Sequence, residues 1–216
     1  MGDGVPAGIR ERKKLRTREA LIEAAATLCL ENGFDHTTVE QIAAAADVST
    51  RTFSRYFATK GAVVAAIVDD MDGLIAEALR EQPRGFTEYE ALLGAHLAVF
   101  GPDLPYETSG FRRMAALIQI VNASDSAKSA AFAHQQGISA NASLAVVAER
   151  MGVTIDHPAI QLISDTFTAL FASSFAGLGT PGHDAIEAKV VCDRLVVAVE
   201  MFRRTWSPWN DSTVDG

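Results

Sequence analysis

Residues that carry redox or metal chemistry are scarce in this sequence of 216 residues. Its two cysteines, Cys29 and Cys192, lie far apart, each within an apolar helical pattern, and no Cys or His spacing suggests a set of metal ligands. We expect buried, inert thiols, with a redox switch as the alternative. Long apolar runs are also lacking, since none reaches the ~20 residues of a membrane-spanning helix, and the N-terminus is polar, unlike a signal peptide. We therefore expect a cytoplasmic protein that does not bind a membrane.

Catalytic motifs are absent as well. The sequence contains no G-x-S-x-G nucleophile elbow, no H-E-x-x-H zinc motif and no P-loop. Asp165 and His157 lie in the C-terminal half, but these two residues alone define no catalytic site. We predict that the protein is not an enzyme and requires no cofactor.

No stretch alternates apolar and polar residues as a strand does, and no internal repeat is present. Apolar residues instead recur at three- and four-residue spacing, which predicts an all-α fold of about nine helices. We expect a three-helix N-terminal domain at residues 10–60, preceded by a mobile segment. A larger helical domain is expected at 61–206, followed by a flexible tail at 207–216. Within the larger domain, residues 124–151 are predicted to form one long helix.

The net charge of −8 at first argues against a polyanionic partner, but the charges are unevenly distributed. Residues 1–60 hold nine Lys/Arg and eight Asp/Glu, a net charge of +1, whereas the remainder holds ten and nineteen, a net charge of −9. Six basic residues crowd the start of the first helix: Arg10, Arg12, Lys13, Lys14, Arg16 and Arg18. A basic arm on an acidic body orients a protein on DNA. The alternative is a solvated, charged helix start.

The most informative stretch is residues 37–60. Thr37, with Glu40 three residues later, gives a capping-box signal that predicts the start of a short helix. Asp47 follows in a turn, where Asp tolerates left-handed conformations, and Ser49 is a favourable N-cap for the next helix. Two short helices joined by a tight turn are the expected result.

The second of these helices combines an apolar face with a basic one. Phe53 and Phe57 are four residues apart and predict the buried face. The remaining faces carry hydroxyl and guanidinium groups, which suit a DNA major groove because an Arg fork reads guanine and hydroxyls take phosphates or base edges. We predict that Arg51 and Arg55 read bases and that Thr37, Thr38, Tyr56 and Lys60 hold phosphates. The full predicted DNA-binding set is Thr37, Thr38, Ser49, Thr50, Arg51, Thr52, Ser54, Arg55, Tyr56 and Lys60.

The pattern R-x-A-L-I-x-A-A-x-x-L-x-x-x-x-G-F-x-x-T-T-V-x-x-I-A-x-x-A-x-V-S-x-x-T-F-x-R-Y-F-x-x-K, over residues 18–60, resembles the DNA-binding domain of the TetR family of transcriptional regulators. The resemblance implies a helix-turn-helix domain joined to a helical domain for ligand binding and dimerisation. Such proteins usually act as repressors that leave DNA when a small molecule binds; activation stays open. The R-T-F-x-R-Y-F version resembles a subgroup thought to sense acyl-CoA-like ligands. Asp47 and Ser54 depart from the usual Gly and Tyr of the family.

The last two predicted helices are apolar on more than one face. A helix that is apolar nearly all round is buried on all sides. In a chain of this size the simplest partner is a second copy, so we predict a homodimer formed through these two helices. Such a dimer would present two recognition helices ~34–36 Å apart to successive major grooves.

A ligand pocket is expected among the middle helices, at about residues 87–180. Pockets combine apolar walls with a few placed polar groups, so polar residues within apolar helices and nearby aromatic residues are candidates. The predicted set is His96, Phe100, Phe111, Arg112, Arg113, Met114, Ile118, Phe132, Gln135, Phe167 and Phe171. Arg112 or Arg113 would meet the carboxylate or phosphate of an acyl thioester. Ordinary core packing is the alternative for each residue.

Another class of function also fits the pattern. Asp47 adds negative charge near the DNA, and Ser54 lacks a phenol that would reach a phosphate. The protein could then be a helical module that binds a ligand or another protein and no longer binds DNA specifically. Binding to random and genomic DNA at low salt distinguishes these two functions.

Overall fold

The computed structural model describes residues 7–101, 109–135, 141–180 and 186–210. Regular secondary structure in these ranges is helical, which confirms the predicted all-α fold. The helices are α1 (Ala7–Asn32), α2 (Val39–Ala45), α3 (Thr50–Tyr56), α4 (Lys60–Arg80), α5 (Glu88–Phe100), α6 (Ser109–Ala123), α7 (Asp125–Gln135), α8 (Ala142–Met151), α9 (Pro158–Phe175) and α10 (Ala188–Asn210). None of the helices in the described ranges is long and apolar enough to span a membrane.

The described ranges hold ten helices because the segment predicted as one helix at 124–151 contains two. α8 begins with its own N-cap, Asn141, whose side-chain oxygen accepts the N–H of Leu144 at 3.0 Å. Asp72 of α4 accepts the N–H of Ala142 at 2.6 Å and so ties the first turn of α8 to another helix. The Ala-rich pattern predicts helix correctly, but it does not show that a side chain from α4 satisfies the start of a new one.

Both ends of the helical region also differ from the prediction. α1 starts at Ala7, three residues before the predicted start of the N-terminal domain. α10 continues to Asn210, four residues into the segment predicted as a tail. The remaining tail residues, 211–216, lie outside the described ranges.

The capping box of α2 is shifted by one residue from its predicted position. Thr38 is the N-cap: its hydroxyl accepts the N–H of Gln41 at 3.3 Å, and its own N–H donates to the Gln41 side chain at 2.8 Å. Thr37 is buried instead, and its hydroxyl donates to the carbonyl of Gly33 at 2.9 Å. The prediction of a Thr37–Glu40 box is wrong. Thr38 and Gln41 have the same three-residue spacing, and Gln serves as well as Glu as the second residue of a capping box.

Two hydrophobic cores share one helix. The N-terminal core joins α1, α2, α3 and the first turns of α4 with residues of α6 and α7, and the C-terminal core joins the rest of α4 with α5, α6 and α8–α10. Val63 and Ile67 of α4 belong to the N-terminal core, and Met71 and Ile75 belong to the C-terminal core. A continuous helix therefore connects the N-terminal helices α1–α3, here called the head, with the helices around the C-terminal core, here called the body.

Each core encloses one of the two cysteines. Cys29 lies in the N-terminal core and Cys192 in the C-terminal core, and both are free thiols. Burial raises the pKa of both thiols above the ordinary value. A raised pKa keeps a thiol protonated and unreactive, as predicted.

Candidate DNA-binding surface and ligand cavity

The turn between α2 and α3 fixes the orientation of α3. Asp47 has a φ of 53°, the left-handed conformation expected from the sequence. Ser49 caps α3 by accepting the N–H of Thr52 at 3.1 Å. Phe53 and Phe57 are buried, with ring centroids 5.8 Å apart, and hold α3 against the N-terminal core. Their packing determines which face of α3 points outward.

The outward face of α3 is polar and basic. Thr50, Arg51, Ser54 and Arg55 are all exposed, and the two arginines are one helical turn apart. Tyr56 is half-buried against the N-terminal core. A guanidinium group can form two hydrogen bonds with O6 and N7 of guanine, and a hydroxyl can meet a phosphate or a base edge. This surface has the chemical groups that reading a major groove requires.

Some of the predicted hydroxyl contacts already have partners within the fold. The hydroxyls of Ser49 and Thr52 lie 3.0 Å apart at the N-cap of α3, and the Ser54 hydroxyl donates to the carbonyl of Thr50 at 3.0 Å. The Thr38 hydroxyl is exposed and accepts a backbone N–H, so its own proton remains for a phosphate oxygen. Among these hydroxyls, Thr38 is the best placed donor.

Lys60 does not have the predicted freedom to hold a phosphate. Its ammonium group donates to the carbonyls of Phe34, Asp35 and Thr37 at 2.6, 3.2 and 3.0 Å, and it lies 4.5 Å from the centroid of the Phe34 ring. A lysine has three N–H donors, so all of them are used. Lys60 fastens the loop between α1 and α2 to the start of α4. The prediction for Thr37 is also wrong, because its buried hydroxyl faces carbonyls inside the fold.

The basic arm is smaller than the sequence indicates. Arg18 is half-buried, and its two terminal nitrogens contact the Asp70 carboxylate at 3.1 and 3.0 Å. Lys14 lies 3.8 Å from Glu11 in an exposed pair, a type of contact that contributes little. The exposed basic residues of the arm are Arg10, Arg12, Lys13, Lys14 and Arg16.

A cavity of about 390 Å³ lies between α4, α5, α6, α7, α8 and α9. Its volume is within the range of small-molecule sites. Seven of the predicted ligand residues line it: His96, Phe100, Met114, Ile118, Phe132, Phe167 and Phe171. The structure thus brings together the aromatic and apolar part of the predicted set.

His96 is the polar group among the aromatic rings of the cavity. Its ring centroid lies 4.8 Å from that of Phe167, 5.3 Å from that of Phe171 and 6.0 Å from that of Phe100. Nδ1 lies 2.7 Å from the carbonyl oxygen of Leu92. Burial lowers the pKa of His96 to about 4, although the hydrogen bond to Leu92 opposes this shift. The imidazole is therefore neutral near pH 7.

Eight polar residues of the cavity are missing from the predicted set: Asp72, Asn122, Asp125, Lys128, Asn141, Ser143, Ser164 and Thr168. Asp72 accepts the backbone N–H groups of Ala142 and Ser143. Burial raises the pKa of the Asp72 carboxyl, and its hydrogen bonds partly oppose that effect. Ser164 and Thr168 lie one turn apart on α9. Each is a polar residue in a mostly apolar helix, the same signal that identifies the histidine.

Three predicted ligand residues whose side chains are described, Phe111, Arg112 and Arg113, do not line the cavity. Arg113 forms ion pairs with Glu19, Glu23 and Asp70, and Arg112 contacts Glu23 at 2.8 Å. These arginines join α6 to α1 and α4, so the prediction that they meet an anionic ligand is wrong. Phe111 is buried in the C-terminal core. Gln135 stays a prediction, because its side chain lies outside the described part of the structure.

The cavity and the N-terminal core have a common wall. Val68, Leu117, Val121 and Ala131 line the cavity and also belong to or pack against the N-terminal core. They come from α4, α6 and α7. A molecule that changes the spacing of these helices from the cavity side must therefore also disturb the core that supports α3.

Comparisons with known proteins agree with this arrangement. The family model described as "Bacterial regulatory proteins, tetR family" matches residues 21–67. The "HTH-type transcriptional regulator TcmR" of Streptomyces glaucescens is 45% identical over 94 residues, which are 44% of this chain and 42% of that protein. The match therefore spans less than half the length of this curated relative.

Solved structures of regulators share the fold. A TetR-family regulator from Shewanella sp. PV-4 has a TM-score of 0.51 and 18% identity, over 88% of this chain and 97% of that one. GusR of Salmonella enterica also has a TM-score of 0.51 and 18% identity, over 87% and 94%. By fold and by surface, the chain is a helix-turn-helix protein with a second helical domain. Residues 21–67 match the model of the TetR family of bacterial regulatory proteins, so this part of the chain is similar to that family.

Proposed function

We propose that the protein is a transcriptional repressor that responds to a small molecule. It binds a palindromic operator as a homodimer in the cytoplasm and leaves the DNA when a ligand enters the cavity. It acts through binding and not through catalysis. The observation that carries this proposal is the common wall, because the cavity and the core behind the DNA-reading helix share residues of α4, α6 and α7.

The DNA contacts divide into two kinds. Arg51 and Arg55, exposed on α3, read bases in the major groove. Thr38, Thr50 and the exposed residues of the basic arm contact phosphates and set the register without reading sequence. Contacts of the second kind release counterions, so binding weakens as salt rises.

Dimerisation is supported by exposed apolar side chains on the last two helices. Leu162 of α9 is 65% exposed, and Val197 and Met201 of α10 are 56% and 64% exposed. α9 and α10 pack on each other, so their outer faces adjoin. A second copy that pairs across these faces covers the apolar side chains and gives a four-helix interface.

Coupling between ligand and DNA follows from the common wall. A ligand shifts the protein towards release only if it binds the DNA-free arrangement better than the DNA-bound one. Filling the cavity presses on α6, which packs against α1 and carries Arg113. Movement of α6 or α4 changes the position of the head and so the distance between the two copies of α3.

Selection of bound DNA from a random pool by the purified protein tests this function. Enrichment of one palindrome, with half-sites about one helical turn apart, is the expected result for a dimeric reader of the major groove. The selection is repeated after unfolding and refolding, which removes a ligand carried through purification. If neither preparation enriches a sequence, the protein does not read DNA, and the helical binding module is the better interpretation.

A further inference from the structure

We propose that the cavity binds an uncharged, mainly apolar molecule that carries a hydroxyl group, and that Nε2 of His96 accepts the hydrogen bond from that hydroxyl. The inference rests on the proposed function, since it names the class of ligand for the same cavity. It replaces the expectation of an acyl thioester held by Arg112 or Arg113.

The hydrogen bond of Nδ1 determines what Nε2 offers to a ligand. A carbonyl oxygen can only accept, so the contact of 2.7 Å to Leu92 requires that Nδ1 carries the proton. In a neutral imidazole the other nitrogen then carries a lone pair. Within the described ranges, no residue donates a hydrogen bond to Nε2. The cavity therefore contains an acceptor whose partner is not supplied by the described part of the fold.

The surroundings of His96 favour an uncharged partner. Three phenylalanine rings surround the imidazole, and they offer no charge to a carboxylate or an ammonium group. Burial keeps the ring neutral, with a pKa of about 4. A carboxylate near Nε2 would place lone pairs against a lone pair in a desolvated site, which is unfavourable. A hydroxyl satisfies the nitrogen without adding charge.

The charged residues of the cavity lie elsewhere. Asp125 and Lys128 are exposed on α7, and their opposite charges place no net charge on that side. The Asp72 carboxylate already accepts two backbone N–H groups at the start of α8. Apolar contact with the rings therefore contributes most of the affinity, and the hydrogen bond to His96 provides the discrimination.

Titration of the full-length protein with two matched probes tests the inference. The probes are 1-naphthol and 1-methoxynaphthalene, which share one aromatic scaffold but differ in the hydroxyl proton. At pH 7 we expect the wild-type protein to bind 1-naphthol about tenfold more tightly, as the loss of one buried hydrogen bond implies. His96→Phe should bind the two probes equally. Thr166→Val, which removes a hydroxyl of α9 outside the cavity lining, should keep the preference.

Further measurements distinguish failure of this inference from failure of the proposed function. Equal binding of the two probes to the wild-type protein overturns the inference, as does a preference that persists in His96→Phe with a wild-type circular dichroism spectrum. Tighter binding of 1-naphthoate or lauroyl-CoA than of 1-naphthol overturns the uncharged class, and so does the absence of binding by 1-naphthol. If 1-naphthol binds through His96 but does not reduce operator affinity, the inference holds and the ligand-responsive function fails.

Discussion

The two cores of the molecule use their polar groups in opposite ways. In the N-terminal core these groups are committed to the fold: Lys60 donates to three carbonyls and Thr37 donates inside the loop that Lys60 fastens. In the C-terminal core, His96 lines a cavity of about 390 Å³, and its Nδ1 is bonded to the carbonyl of Leu92. The head is filled and braced, whereas the body keeps a space and an acceptor for another molecule.

The difference indicates where conformational change can start. A close-packed core resists deformation, because each displaced side chain loses many contacts. A cavity wall has contacts on one side only and moves at lower cost. The walls of α4, α6 and α7 are such surfaces, and their opposite sides pack on the head. We therefore expect the conformational change caused by a ligand to begin in the body. The head should then move as a rigid unit.

Removing the Lys60 ammonium should break the bracing of the head. Lys60→Met keeps most of the aliphatic stem but leaves the carbonyls of Phe34, Asp35 and Thr37 without their donor. We expect the free energy of unfolding to fall by about 3–5 kcal/mol, since several hydrogen bonds to a charged group are lost together. Urea denaturation followed by circular dichroism measures this loss.

The exposed Lys13 of the basic arm provides the matched control for Lys60. Lys13→Met should leave stability within about 0.5 kcal/mol and reduce the slope of log affinity against log salt by about 1. Lys60→Met, assayed where it is folded, should leave that slope unchanged. A reduced slope with wild-type stability would make Lys60 a phosphate contact after all.

Burial of His96 in the C-terminal part of the molecule should make stability depend on pH. His96 has a pKa of about 4 in the folded protein and about 6.5 when unfolded, so the unfolded state binds more protons between these values. Stability from this residue is complete above pH 6.5 and is lost as pH falls towards 4, by about 3 kcal/mol. Denaturation at a series of pH values should show this loss in the wild type and not in His96→Phe. An equal loss in both proteins would assign the dependence to carboxylates.

The exposed surface of the head, and not the body, should determine which DNA sequences the protein prefers. Arg51→Ala is expected to weaken binding to the selected operator by about 1–3 kcal/mol and to relax the preference at one position of each half-site. Arg12→Ala, in the exposed arm, should weaken binding to all sequences alike. Competition between operator and scrambled duplexes measures both effects. A uniform loss for Arg51→Ala would remove it from base reading.

Sequence alone predicts the helices of the head better than the roles of its side chains. Local signals such as Ser49 as an N-cap and Asp47 in a turn are confirmed because caps and turns depend on neighbouring residues. The role of Lys60 depends on carbonyls 23 to 26 residues away, and no local pattern shows them. The position of a lysine in a familiar motif therefore does not predict which partner its ammonium group takes.

The body shows the same limit at longer range. Phe167 and Phe171 line the cavity, because apolar spacing identifies the inward face of a helix. Arg113 is assigned to a ligand because its carboxylate partners Glu19 and Asp70 lie 94 and 43 residues away. An anion from the same chain and an anion from a ligand produce the same signal in a sequence.

Because of those carboxylates, substitution of Arg113 gives the most direct test of how the two cores communicate, although its expected effect is the smallest. Its ion pairs join α6 to α1 and α4, and the next residue, Met114, lines the cavity. Arg113→Met should leave ligand affinity almost unchanged but reduce the coupling between ligand and operator by about 0.5–2 kcal/mol, because α6 can then move without carrying the head. Arg112→Met is the control and should keep the coupling, because the Arg112 side chain is 61% exposed and, among the residues that the structure describes, pairs only with Glu23. Operator affinity measured with and without saturating ligand gives the coupling for each variant. Equal coupling in both would mean that the apolar wall transmits the signal and that the ion pairs only fasten the head to the body.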